Sequence, residues 1–239
     1  MSDLLVAARP AATPVRLAKL SQQSAPLRNK IIAALRAAIE TGVLAPGTRL
    51  VEKDLCEQLD VSRTSLRESL RELEAEGILE HSSNRSLTVA NISREEAENV
   101  YRIRAVLEAL VVEQFIEKAS DSELQALISD AETLKAAYRD GELVEMLRAK
   151  RAFYDRICSG AENAVAFDII NRLVLRTSAL RSRSMLRGER QAQSVMEIDT
   201  LVQAIAKRDI KAARRAARAH VTNSARSSLG HDVVMGREG

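Results

Sequence analysis

Tryptophan is absent from the 239 residues, and the three tyrosines and three phenylalanines all fall at or after Tyr101. A stretch of a hundred residues without an aromatic ring offers no stacking platform, which argues against single-stranded nucleic acid as its partner. Only two cysteines occur, Cys56 and Cys158, in different expected elements. No disulfide framework is expected, and both read as buried thiols of a reducing cytoplasm. The three histidines (His81, His220 and His231) are too dispersed for a multi-histidine metal site, so no metal and no other cofactor are expected. No apolar run approaches the length of a membrane span. The short Leu4-Leu5-Val6-Ala7-Ala8 stretch follows Asp3 with no basic residue before it, which makes a poor secretory signal. The expectation is a cytoplasmic protein with no membrane partner. Excess charge is also missing. Residues 1–90 carry 12 basic and 11 acidic side chains, the remainder 24 and 22, for a net +3. Any DNA-binding role therefore has to be read from where particular arginines point.

What is present is helical patterning in two textures. All four prolines (Pro10, Pro14, Pro26 and Pro46) lie in the first 46 residues. Residues 1–26 read as a mobile arm and 230–239 as a flexible tail. Ile31, Ile32, Leu35 and Ile39 recur at helical spacing over Leu27–Thr41, and the run from Gly42 to Gly47 stops that helix. A short helix over about Glu52–Leu59 follows. After the tight Asp60-Val61-Ser62 connection comes a helix to about Ala75, with Ser62 as N-cap. Gly77, Ile78-Leu79, a polar tip over 82–86 and alternating Leu87-Thr88-Val89 predict a two-stranded hairpin. Beyond residue 90 there is no proline. The pattern there predicts six helices, about 94–119, 121–139, 142–159, 161–186, 189–207 and 209–229, with capping-box spacing at Ser93/Glu96 and Ser120/Glu123. Short connections make them antiparallel neighbours in a bundle. The fold class is mainly α: a winged helix-turn-helix over 27–90, followed by an all-α antiparallel bundle over 91–229.

On the third helix Leu66, Leu70 and Leu73 form one apolar stripe, and Thr64, Arg67, Glu68 and Arg71 lie away from it. That puts two guanidiniums and a hydroxyl where a major groove would lie, since arginine both forks a guanine edge and grips phosphate. Arg63 at the helix start suits either role, and Glu68 suits orienting a neighbouring arginine. Arg49 and Lys53 would flank the groove as phosphate contacts, with Arg85 at the wing tip for the minor groove or adjacent backbone. Ser62, Arg63, Thr64, Arg67 and Arg71, with Arg49, Lys53 and Arg85, are the candidate DNA contacts.

Residues 27–90 resemble the DNA-binding domain of GntR-type regulators. The resemblance rests on the ordered runs Gly42–Glu52, Leu59–Leu70 and Leu73–Leu79. It implies base contacts from Arg63 and Arg67 and places Lys53 near DNA. Ser65 stands where proline is usual, and Ser86 where the wing often has glycine. Tyr101, Arg104, Leu107 and Glu108, with Ala204-Ile205, Asp209, Ala213 and His220, resemble the all-helical ligand domain of the FadR subfamily. The count of six helices resembles its VanR-like group. The resemblance assigns effector binding and dimerisation to the unit over 91–229. It implies a homodimer acting on a palindromic operator, as a metabolite-responsive repressor.

Many such ligand domains bind a divalent metal through an Asp-x-x-Phe-His pair and two later histidines. The corresponding positions here read Lys150, Phe153, Tyr154, Ile198 and His220, which leaves one histidine. Lys150 lies amid the apolar face Leu143, Met146, Leu147, Phe153, Tyr154 and Ile157. A buried ammonium needs an anionic partner or a route to water. Either Lys150 pairs with an internal carboxylate such as Glu108, or it receives a small anionic metabolite together with Arg104, Arg176, Tyr154 and His220. The chain is not expected to be an enzyme. The alternatives are a helical enzyme using Lys150, Tyr154 and His220 in acid–base or imine chemistry, and a DNA-binding dimer that senses no ligand.

Overall fold

The structure is a computed structural model that describes residues 25–82 and 85–230. The expected arm lies outside the described residues up to residue 24, as does the tail from residue 231. Ala25 and Pro26, read as arm, instead open the first helix, α1 (Ala25–Glu40). Proline is well suited to a first helical turn, where its missing N–H has no intrahelical partner to lose.

The helix-turn-helix follows with α2 (Glu52–Leu59) and α3 (Arg63–Ala75). Asp60 closes α2 in the left-handed region (φ 51°, ψ 51°), and Val61 N–H returns to the Cys56 carbonyl. Ser62 caps α3 by accepting from Ser65 N–H at 3.2 Å. The wing is β1 (Leu79–His81) paired antiparallel with β2 (Leu87–Val89), Leu79 opposite Val89 and His81 opposite Leu87. A third segment, missed by the alternation pattern, extends it. Arg49 bridges to Thr88, Leu50 N–H donates to the Leu87 carbonyl and Val89 N–H to that of Thr48. Ile31, Leu35, Leu55, Leu66, Leu70, Leu73, Ile78 and Val89 fill this unit's core.

The bundle has seven helices among the described residues, not six: α4 (Arg94–Lys118), α5 (Asp121–Asp140), α6 (Leu143–Gly160), α7 (Ala164–Arg176), α8 (Ser178–Met185), α9 (Gly188–Ala206) and α10 (Ile210–Leu229). The helix expected over 161–186 breaks at Thr177. Its hydroxyl bonds back to the Leu173 and Val174 carbonyls, and its backbone leaves helical geometry (φ −104°, ψ 12°). Ser93 caps α4 through its hydroxyl, whereas a complete capping box forms only at Ser120 with Glu123. α4 runs through the middle of the bundle, which explains why its sequence is apolar on more than one side.

The two units share a joint. Leu175 of α7 belongs to the core of the first unit. Glu76 at the end of α3 takes Arg36 of α1 at 2.5 Å and faces Arg172 of α7 at 3.9 Å. Ser182 of α8 donates to the Glu40 carbonyl at 2.6 Å.

Gly160 closes α6 against Phe115, and a Cβ there would lie 2.6 Å from two ring carbons of that buried side chain. Gly160→Ala is therefore expected to destabilise the full chain by about 1–3 kcal/mol, overpacking outweighing the better helix propensity of alanine. The urea midpoint checks it, and an unchanged or raised midpoint contradicts the close packing.

Candidate functional site

Two regions carry the chemistry, one on the surface of α3 and one inside the bundle. On α3, Leu66, Ser69, Leu70 and Leu73 are buried, and Arg63, Thr64, Arg67, Glu68 and Arg71 are exposed. Arg49, Lys53, Ser62 and Arg85 are exposed as well. Arg67 is already engaged: its Nε donates to both Glu52 carboxylate oxygens at 2.9 Å. The carboxylate that orients it comes from α2, not from Glu68. Because the pair uses Nε, both terminal nitrogens remain for a groove. An exposed pair of this kind is worth only about 0–1 kcal/mol, so it orients without locking. Lys53 has Glu57 at 3.9 Å. At the wing, the positive φ of the turn falls on Arg85 (62°) and not on Ser86, and Arg85 N–H donates to the Ser82 carbonyl.

Inside the bundle, charged side chains from five helices converge. On α4, Arg104 donates through Nε and Nη2 to one oxygen of Glu108, at 3.0 and 2.8 Å. Burial works against the Arg104 charge, but the Glu108 carboxylate outweighs it and the pKa is raised. On α9, Glu197 grips Arg190 at 2.8 and 3.0 Å and also accepts from Asn223 at 2.7 Å. Its second oxygen lies 2.6 Å from Nδ1 of His220 on α10. Burial opposes its ionisation, yet the bonds from His220 and Arg190 hold Glu197 down at about 2. His220 itself is depressed to about 4, by burial first and then by Lys150. The imidazole is thus neutral, with its proton on Nδ1 toward Glu197, and Nε2 is an acceptor.

That Nε2 faces Lys150 Nζ of α6 at 3.2 Å. Lys150 does not pair with Glu108, whose Oε1 is held by Arg104. Burial, reinforced by Arg181, Arg190 and Arg104, lowers the Lys150 pKa well below its ordinary value. Arg181 of α8 is buried, with Glu40 of α1 at 3.8 Å. Tyr154 stacks on His220 with ring centroids 6.4 Å apart, and burial holds its hydroxyl firmly protonated. Glu40, Arg104, Glu108, Lys150, Tyr154 and Arg181 all line one cavity of about 50 Å³. Two buried guanidinium nitrogens, Arg104 Nη1 and Arg181 Nε, and one carboxylate oxygen, Glu108 Oε2, have no hydrogen-bond partner.

The structure therefore brings Arg104, Lys150, Tyr154 and His220 together and leaves Arg176 out. Arg176 ends α7 on Glu96 of α4 and packs 3.8 Å from where a Cβ of Gly77 would stand. The break at Thr177 turns the chain so that Arg181 enters the cavity instead. Arg181, Arg190, Glu197 and Glu40 were not singled out from sequence. A signal for two of them exists, since Arg190, Ser194 and Ile198 lie on the buried face of α9, with Glu197, half-buried, at its edge. A divalent metal does not fit these residues. The site offers one imidazole, whose Nε2 is taken by Lys150, beside the apolar Ile198. Among the described residues no three His, Cys, Asp or Glu side chains are grouped to hold one.

Known proteins point the same way as this geometry. Residues 27–89 match the family described as bacterial regulatory proteins, gntR family, and residues 99–223 match the FCD domain. YdhC of Bacillus subtilis (strain 168), an uncharacterized HTH-type transcriptional regulator, is 26% identical over 214 residues, covering 85% of this chain and 91% of that one. The HTH-type transcriptional regulator McbR of Escherichia coli (strain K12) is 28% identical over 142 residues, covering 59% and 64%. The solved structure of E. coli McbR/YncC shares the fold, with a TM-score of 0.76 at 23% identity over 82% of this chain and 94% of that one. Among the described residues no helix is long and apolar enough to cross a membrane.

The buried imidazole makes stability sensitive to acid. The unfolded chain binds the His220 proton near 6.5, whereas the folded chain resists it until about 4. Stability is thus complete above the unfolded value and is lost as pH falls towards the folded one, by up to about 3 kcal/mol. Glu197 adds in the same sense between about 4.5 and 2. Urea denaturation from neutral pH down to about 4 should show the fall, and His220→Gln should flatten it. Equal slopes in both proteins would place the titration elsewhere.

Proposed function

The chain belongs to the GntR family of bacterial regulatory proteins and carries an FCD domain, and from that premise we propose that it is a ligand-responsive regulator binding a palindromic operator as a homodimer. Its effector is a small anion held at Arg104, Lys150, Arg181, Tyr154 and His220. The observation that carries this reading is Glu40. It ends α1 of the helix-turn-helix unit and, with Arg36, forms one wall of the cavity whose other walls belong to the bundle, where it faces Arg181. An anion that takes Arg181 competes with Glu40, and so acts on the end of α1. Repression is the outcome where the operator overlaps a promoter, and tighter or looser DNA binding follows from how the two heads are spaced.

On the DNA side, Arg63, Thr64, Arg67 and Arg71 read the major groove, with Arg49, Lys53, Ser62 and Arg85 on phosphates or the flanking groove. Support for a second copy comes from α4. Ile103, Val106 and Leu110 are exposed on one face of it, and Val165 and Ile169 are exposed on the adjoining α7. A contiguous apolar face of this kind is suited to a two-fold partner. Against the imine or acid–base enzyme reading stands the family, which is one of regulatory proteins.

Two measurements test the reading. Arg67→Ala should weaken operator binding by about 1–3 kcal/mol while sparing non-specific DNA, whereas Lys53→Ala should weaken all duplexes alike and flatten the salt dependence. Wild-type operator affinity in Arg67→Ala overturns the recognition-helix assignment. Sedimentation of the full chain should give a dimer, converted to monomer by Val106→Glu. A monomeric wild type, or a dimer indifferent to that substitution, removes the α4–α7 face from the proposal.

A further inference from the structure

Lys150 stands in an arrangement that simple ion pairing does not require. Its Nζ has one hydrogen-bond partner, His220 Nε2 at 3.2 Å, and His220 Nδ1 is fixed in turn by Glu197 at 2.6 Å. Among the described residues no carboxylate is paired with it. An amine beside an imidazole acceptor that a carboxylate orients is a nucleophile, a base and an orienting group in sequence. The sequence gives no hint of this order, because the three residues come from α6, α9 and α10. The cavity onto which Lys150 opens supplies the rest. Arg104 and Arg181 line it, each with one buried guanidinium nitrogen lacking an acceptor, and Glu108 lines it with one oxygen lacking a donor, a set that a small acid with a carboxylate and a donor group would satisfy. A space of about 50 Å³ holds only a few water-sized groups and restricts the occupant to a few heavy atoms.

We propose that Lys150 captures a small 2-oxo acid as a reversible imine, with the acid's carboxylate on Arg104 and Arg181. The inference rests on the reading of this cavity as the effector site and adds a covalent step to it. Nζ attacks the carbonyl carbon, and the C=O π pair moves onto oxygen. His220 Nε2 takes a proton from the nitrogen and returns it to that oxygen, giving a carbinolamine. The C–O bond then breaks as the nitrogen lone pair forms C=N, and the oxygen leaves as water after one further proton transfer. Amine and carbonyl become imine and water, with nothing oxidised or reduced, and hydrolysis reverses the capture. The Tyr154 hydroxyl, kept protonated by burial, is a donor for the departing oxygen. Burial and the neighbouring guanidiniums lower the Lys150 pKa, the direction that favours the free amine such attack needs.

The test incubates the full-length protein with pyruvate or glyoxylate, adds sodium borohydride, and reads intact mass and a peptide map. The expected result is one adduct per chain, mapped to Lys150, lost in Lys150→Met and slowed in His220→Gln. The wild-type map stands by itself if a variant fails to fold. Lactate, which has the carboxylate but no carbonyl, is measured in parallel by its effect on melting temperature. If lactate raises the melting temperature and neither oxo acid leaves an adduct, the covalent step is overturned while the anion site stands. If neither class of acid binds or reacts, both readings fall. Adducts confined to exposed lysines such as Lys53 and Lys118 also overturn the proposal.

Discussion

A carboxylate sealed among helices has to be answered by hydrogen-bond donors, and Glu197 meets that demand with four of them. Arg190 supplies two, Asn223 one and His220 one. Removing one partner of such a buried pair costs about 3–5 kcal/mol because the remaining charge is stranded. The arrangement therefore holds α9 and α10 in register as firmly as the apolar residues around it. It also fixes the tautomer of His220, which turns Nε2 toward Lys150 as an acceptor. The character of Lys150 is thus decided on a different helix, two hydrogen bonds away.

The same economy governs the joint between the two units. Leu175 completes the core of the helix-turn-helix unit from α7, so that core cannot shift without the bundle registering it. Glu40 is bound twice to α8, through its carbonyl to Ser182 and through its carboxylate to Arg181. A coupling of about 1–3 kcal/mol changes DNA affinity roughly 5–150-fold. One buried hydrogen bond is worth about 0.5–1.5 kcal/mol, so gaining or losing the Glu40 contacts is of the size that regulation requires.

Local rules carried much of the fold into the sequence. The Leu66, Leu70, Leu73 stripe, the Ser62 cap and the alternation at Leu87–Val89 each depend on neighbours within a few residues, and each element stands where that pattern puts it. What was hidden depends on distant partners. The Arg67–Glu52 pair spans fifteen residues and crosses between helices. The Arg49–Thr88 bridge joins segments whose pairing neither one announces. Thr177 has an ordinary helical context in sequence, and its hydroxyl bonds to Leu173 and Val174 accompany the break without accounting for it, since Thr133 and Thr200 bond back in the same way inside unbroken helices. From that one break follow the seventh helix, the exclusion of Arg176 and the arrival of Arg181. Lys150 was legible as an anomaly, since lysine on an apolar face always needs an explanation. That its partner is a histidine was not, because His220 lies on a helix seventy residues away in sequence.

The charge balance of the cavity gives the substitution of lysine for a metal ligand a physical meaning. Arg104, Arg181 and Arg190 are matched by Glu108, Glu40 and Glu197, which leaves Lys150 without a carboxylate of its own and with its pKa lowered by burial and by those guanidiniums. A bound divalent ion would bring fixed positive charge and would lose its ligands to protons as pH falls. An anion bound as proposed would be balanced by a proton on the Lys150 nitrogen, as an ammonium or as a protonated imine. The anion itself raises the affinity of that nitrogen for the proton. Ligand binding and proton uptake are then linked, and affinity strengthens toward lower pH until the unliganded lysine is itself protonated. A metal centre in such a pocket would respond to pH in the opposite direction, so the proposed anion site differs from a metal site in the sign of its expected dependence on acidity.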